Sequence, residues 1–133
     1  MKNNEKVLEA KSLVKWFPLS RGFFTTLRSG KEVWVRAVDD INFSVYKKDI
    51  FVLAGESGCG KTTTGKTAIR LLEPTSGKVY YKGNDLFALK ERDLKTYRKR
   101  MQIIFQDPYE SLNPRLNIYD TIAEPLKINK VFN

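Results

Sequence analysis

Residues 51–64, Phe51-Val52-Leu53-Ala54-Gly55-Glu56-Ser57-Gly58-Cys59-Gly60-Lys61-Thr62-Thr63-Thr64 (FVLAGESGCGKTTT), decide the fold. The first four form a short apolar run of the kind found in buried parallel strands. Gly55, four further residues, Gly60, Lys61 and Thr62 then satisfy G-x-x-x-x-G-K-[ST]. Thr63 to Leu72 predicts a helix, with Ala68, Ile69, Leu71 and Leu72 available for burial. Strand, glycine-rich turn and helix thus stand in the order that a phosphate-binding loop requires. A glycine-rich turn holding a lysine by chance is the bland alternative, and it gives no reason for the flanking strand and helix.

The residue types suit the chemistry. Gly55, Gly58 and Gly60 permit backbone conformations closed to other residues and let phosphate approach closely. Glu56, Ser57 and Cys59 complete the turn. Main-chain N–H groups from about Gly58 to Thr63 can point into one anion-sized hollow at the positive end of the helix. Lys61 offers an ammonium to β- and γ-phosphate oxygens. Thr62 offers a hydroxyl to Mg²⁺, which keeps most of its shell as water and phosphate. The stretch reads as a nucleoside-triphosphate site.

A chain of 133 residues has room for one modest domain. No apolar run approaches the roughly 20 residues needed to cross a bilayer. The N-terminus, MKNNEKVLEAK, is charged and has no signal-peptide core, which predicts a cytosolic chain. Cys59 is the single cysteine and lies inside the loop, so no internal disulfide can form. The net charge of +9 raises nucleic acid as a partner. Yet the basic residues are scattered, with runs only at Lys47-Lys48 and Arg98-Lys99-Arg100, and neither run is interleaved with stacking aromatics. Phosphate ligands or an anionic membrane face explain the charge equally well.

Before the loop, Lys6 to Val14 predicts a strand, leading to Trp16-Phe17 and a chain-turning Pro18. Residues 18–31 read as a loop or excursion. Glu32 to Tyr46 is strand-like in two halves, with a turn expected at Asp39-Asp40 and another at Lys47-Lys48-Asp49. Beyond the loop helix, Lys78 to Lys82 predicts a short strand and Gly83-Asn84-Asp85 a turn. Leu89 to Arg100 predicts a charged surface helix, and Met101 to Phe105 a buried strand ending at Gln106. Residues 107–115 hold two prolines and read as a loop. From Asn117 the four-residue spacing of Ile118, Ile122 and Leu126 predicts an amphipathic helix, broken or bent near Pro125.

With loop and Gln106 placed, the chain resembles the ATP-binding subunit of ABC transporters, within them the oligopeptide/dipeptide importer group. Three stretches carry the resemblance: GESGCGKTT (55–63), AVDDINFSVYKKD (37–49) and IIFQDPYESLNPR (103–115). The excursion between Phe17 and Val33 also resembles an insertion typical of that group. The implied fold is α/β, a P-loop NTPase of the ABC type, incomplete, with an N-terminal antiparallel β portion. Residues 1–133 would be the N-terminal part of one such domain, with the phosphate loop at 55–62, the Q-loop around Gln106 and a helical region starting after about 116. The resemblance makes Gln106 the glutamine that reaches Mg²⁺ and the attacking water. It makes Phe17 the ring stacking on adenine, with Trp16 as its rival. It implies ATP and Mg²⁺ as cofactors, and as partners a transmembrane permease, a second ATP-binding subunit (identical or not) and, indirectly, a solute-binding protein. Nucleic acid is not among them. Location would be the inner face of the cell membrane, on the cytoplasmic side.

The chain also departs from the family pattern. An LSGGQ-like signature, an apolar strand ending in Asp-Glu and a switch histidine are absent, and the sequence holds no histidine at all. The Glu of that strand is the family's general base, so nucleotide binding with negligible turnover is expected. The strands ending at Ala54 and Gln106 would be separated by elements this chain does not hold, leaving backbone groups and apolar faces exposed. A poorly soluble or partly unfolded chain is expected unless a complementary C-terminal piece is supplied. Two alternatives stay open: a soluble ABC-type ATPase acting on nucleic acid or ribosomes, and an inactive nucleotide-binding module.

Overall fold

In the computed structural model, strands β1 (Lys6–Pro18) and β2 (Trp34–Tyr46) run antiparallel along their length, pairing Leu8 with Val45 and Ala10 with Phe43. The structure describes residues 5–19, 33–107 and 112–129. On the other side of β1 lies β3 (Ser76–Tyr81), followed by the two-residue β4 (Asn84–Asp85). The order is β2-β1-β3-β4, with every pair antiparallel. This is the N-terminal antiparallel portion that the sequence implies.

A defect in β1 determines which residues face the core. Ala10 and Leu13 are both buried although they stand three apart, which a period of two forbids. The register slips between Ala10 and Leu13 against β2, and between Lys11 and Val14 against β3. The intervening Ser12 has a left-handed φ of +45°, and its N–H donates to Asn42 Oδ1 at 2.8 Å. One extra residue thus resets the alternation and turns Leu13 inward. Val38, Val79, Tyr81 and Leu86 complete the apolar core of this unit with Ala68 of α1 (Lys61–Ala68). Thr67, also buried on α1, donates a hydrogen bond from its hydroxyl to the Thr63 carbonyl at 2.8 Å, so its buried hydroxyl is satisfied.

Several boundaries differ from expectation. Pro18 does not turn the chain: β1 runs through to Pro18 opposite Trp34, and Leu19 N–H donates to Val33 O at 2.8 Å. The proline sits at the strand's last position, where a missing donor is tolerated. Most of the excursion expected between Phe17 and Val33, residues 20–32, lies outside the described residues. Asp39-Asp40 is not a turn but an irregularity inside β2, where Asp40 takes φ +49°. The turn at Lys47-Lys48-Asp49 stands, with Asp49 N–H on Tyr46 O at 3.2 Å. There Lys47 donates to the Glu5 carboxylate at 2.9 Å, holding that carboxyl below its ordinary pKa. Asn84-Asp85 belongs to a strand, and the turn is Lys82-Gly83. Helix α1 stops at Ala68 rather than Leu72. Arg70, at φ +54°, aims its guanidinium at the carbonyls of Leu86 (2.6 Å) and Leu89 (2.9 Å), tying the helix end to the segment after β4.

The larger correction concerns the two expected buried strands. Neither 51–54 nor 101–105 joins a ladder, and Ile50, Val52 and Ile104 are 93, 74 and 92% exposed. Phe51 stacks on Phe43, with ring centroids 5.1 Å apart. Among the described residues no strand lies beside either segment, so neither gains the ladder and the apolar cover that its sequence pattern calls for. The full chain should therefore bind a hydrophobic dye and associate as concentration rises, and Ile50→Lys with Ile104→Lys should lower both signals. A dye-silent monomer in analytical ultracentrifugation would contradict this.

The chain divides into two units, residues 1–89 and 90–133. The second holds α2 (Glu91–Arg98) and α3 (Ile118–Ile128). Asn117 caps α3, its side chain accepting from Asp120 N–H at 2.8 Å. The helix is not broken at Pro125: α3 runs through it to Ile128, closed by two donations from Asn129 to the Pro125 carbonyl.

Candidate functional site

Gly60 caps α1 with φ +95° and ψ 2°, a left-handed conformation. A Cβ there would lie 2.0 Å from the Ala37 carbonyl oxygen of β2, so only glycine lets the loop lie this close to the sheet. Ala37 is the site residue that sequence reasoning missed; its contribution is a main-chain oxygen, which no local pattern announces. Gly55 is less restricted in space: at φ +153° its Cβ position lies 2.7 Å from Cys59 Sγ, a side-chain atom that can move aside. A 3.3 Å bond from Cys59 N–H to Glu56 O closes the turn between them.

The first helical amides, Lys61 to Thr63, have no carbonyl one turn back within α1, whereas Thr64 N–H already donates to Gly60 O at 2.8 Å. They form a positive rim at the helix start. Over it curls Lys61, its ammonium donating to Gly55 O at 2.7 Å, Glu56 O at 2.6 Å and, weakly, Cys59 Sγ at 3.6 Å. The ammonium thus spans the loop from its helical end to its first residue. Thr62 is exposed beside it. Amides, an ammonium and a hydroxyl form a donor set that fits a polyphosphate. Among the described residues no cluster of His, Cys, Asp and Glu could hold a metal unaided, so a cation here would depend on phosphate oxygens.

The two candidate rings differ in their surroundings. Trp16 pairs with Arg36, whose guanidinium lies 4.6 Å from the indole centroid, and its ring N–H donates to Asp39 Oδ1 at 3.0 Å. Phe17, its half-buried neighbour on β1, pairs with Val35, and the Lys15 ammonium lies 4.9 Å from its ring centroid. Gln106 lies in the second unit, exposed at a bend. Residues 55–63 are thus gathered in one unit together with Phe17, while Gln106 belongs to the other.

A model of the ABC transporter family matches residues 38–132. The chain belongs to the ABC transporter family. It is 46% identical over 128 residues to the oligopeptide transport ATP-binding protein OppF of Bacillus subtilis, covering 96% of this chain and 38% of that protein. The dipeptide transport ATP-binding protein DppF of Haemophilus influenzae is 39% identical over 129 residues, 97% of this chain and 38% of its own length. The ABC chain thus spans little more than a third of the length of these curated relatives. Among solved structures, the ATP-binding cassette MJ0796 in a dimeric post-hydrolysis state with ADP and Pi superposes with a TM-score of 0.69. That likeness covers 91% of this chain and 47% of the cassette at 24% identity, and it shows the fold: a P-loop NTPase of the ABC type. Among the described residues of this ABC chain no helix is long and apolar enough to cross a membrane.

Proposed function

We propose that residues 55–63 hold the phosphate tail of ATP, within an ABC importer subunit that couples ATP binding and hydrolysis to uptake of oligopeptides, dipeptides or related solutes. The observation that carries this is the Lys61 ammonium lying across a glycine-capped helix start, 2.6 Å and 2.7 Å from the loop's own carbonyls. Those carbonyls are weaker partners than phosphate oxygens, so the ammonium gains a charge-assisted bond by exchanging them. Main-chain amides of Gly58 to Thr63 would share the remaining charge, with Glu56, Ser57 and Cys59 filling the turn. Thr62 and Gln106 would hold Mg²⁺. Phe17 would stack on the base, since the Trp16 indole is already engaged by Asp39 and Arg36. When bound, MgATP supplies the transferable γ-phosphoryl group.

The names of the relatives support a peptide cargo, and the dimeric cassette supports a second ATP-binding subunit as partner. A transmembrane permease would be the other partner, reached through the Gln106 loop, and a solute-binding protein would act indirectly. With such a partner the subunit would sit on the cytoplasmic face of the membrane. Within this chain Lys61 and Gln106 position and neutralise charge, but no Asp-Glu strand or histidine is present to take a proton from water.

A titration of the full chain with a fluorescent ATP analogue tests this. Saturable, Mg²⁺-dependent binding displaced by ATP far better than by AMP is expected, because AMP lacks the phosphates that Lys61 would grip. Phosphate release should stay at background. Absence of saturation, or equal displacement by AMP, would overturn the proposal.

A further inference from the structure

A cleft of about 450 Å³ lies within the second unit, away from any role assigned above. It is bounded by α2 on one side and by the end of α3 on the other, and is lined by Lys95, Thr96, Arg98, Lys99, Ile128 and Asn129. Three of these six are cationic and none is a carboxylate. Lys95, Arg98 and Lys99 follow the i, i+3, i+4 spacing that puts side chains on one helix face.

Their states differ in a way that suits a ligand. Lys99 donates to the Asn129 carbonyl at 3.0 Å, which holds its ammonium at the cleft wall and ties the two helices together. Arg98 gives one nitrogen to Glu91 at 2.6 Å, leaving the rest of its five-donor fork unspent. Lys95 has no partner among the described residues. Opposite them Ile128 is 71% exposed and offers an apolar edge.

We propose that this cleft is a second anion site, taking a phosphate group through Lys95 and Arg98, with Lys99 holding the cleft in shape. A phosphate matches the arrangement better than a carboxylate. It presents several oxygens to donors converging from different directions, and a guanidinium binds it with two parallel bonds. Ile128 would accommodate the carbon side of a phosphate ester. The phosphate could arrive free or as the headgroup of an anionic lipid.

The test is a titration of the isotope-labelled full chain with inorganic phosphate at constant ionic strength, followed by amide resonances. Thr96 and Asn129 should shift saturably. Lys95→Gln with Arg98→Gln should weaken that response by about tenfold or more. Lys47→Gln with Lys48→Gln, an equal loss of two charges at the turn after β2 in the first unit, should leave it within about twofold. Shifts at Gly58 to Thr63 report the phosphate loop separately, so failure of one site is not failure of the other. Vesicles of phosphatidylglycerol and of phosphatidylcholine then distinguish the sources. Retention by the first alone, lost in the double variant, assigns a lipid headgroup, and no retention beside saturable phosphate binding assigns a free phosphate. If Thr96 and Asn129 do not saturate, or the double variant binds as the parent does, the cations only complement the helix ends and the proposal is wrong.

Discussion

Replacing Lys61 by Ala is expected to weaken MgATP binding by on the order of a hundredfold, about 3 kcal/mol, while helix content stays as it was. The size follows from charge. The ammonium faces a tri- or tetra-anionic tail in the proposed complex, and an alanine methyl leaves that charge to the main-chain amides alone. The fold should survive because the side chain buries nothing of the core; its bonds run to the Gly55 and Glu56 carbonyls of its own loop. Alanine is also the better helix former at the first position of α1. Thr62→Ala should act differently, lowering affinity only when Mg²⁺ is present, since the hydroxyl would touch the cation and not the phosphate chain. Equilibrium titration with and without EDTA separates the two. Unchanged affinity in the Lys61 variant would show that nucleotide binds elsewhere.

The phosphate loop was legible because its chemistry is local. Gly55, Gly60, Lys61 and Thr62 are constrained by one turn of backbone, so spacing alone identifies them. The antiparallel strands were legible for the same reason, through alternation over short windows, although the alternation hid the bulge at Ser12. No pattern in Lys11-Ser12-Leu13 marks where an extra residue will be absorbed; that depends on Asn42, thirty positions away, accepting the Ser12 N–H. Asp39-Asp40 misled in the opposite direction. Two adjacent carboxylates read as a turn, but Asp39 is engaged by the Trp16 indole across the hairpin and the strand continues. For 51–54 and 101–105 the apolar pattern signals burial, and burial is a property of neighbours. A parallel strand needs a crossover partner, and among the described residues neither segment has one. Either ring of Trp16 and Phe17 could stack on a base, and the resemblance favoured Phe17; the contacts of Trp16 with Asp39 and Arg36 come from across the hairpin, where no local pattern reaches.

Gly77→Ala should be the most destabilising single substitution in the sheet, by about 3 kcal/mol or more, a large share of the roughly 5–15 kcal/mol by which an ordinary domain is stable. Gly77 takes φ +87°, and its Cβ would stand 2.1 Å from Ser12 O, 2.6 Å from Ser12 C and 2.7 Å from Leu13 Cα. All three atoms are main chain, so no rotamer change relieves the overlap. Nor can β1 retreat. It is paired on both sides by β2 and β3, and Leu13 beside the contact is completely buried. The bulge that turns Leu13 inward is what pushes the Ser12 carbonyl toward β3, so the contact and the core share one cause. Gly83→Ala supplies the control. That glycine also has a positive φ, +82°, but nothing lies within 4 Å of its Cβ position, so only backbone strain of about 1 kcal/mol should appear. Urea titration read by far-ultraviolet circular dichroism, with hydrogen exchange at Val79 and Tyr81, distinguishes the two. Equal losses at both glycines would mean that conformational strain, not the Ser12 contact, sets the requirement at 77. If the Gly77 variant alone loses protection at Val79, the contact between the bulge and β3 sets that requirement.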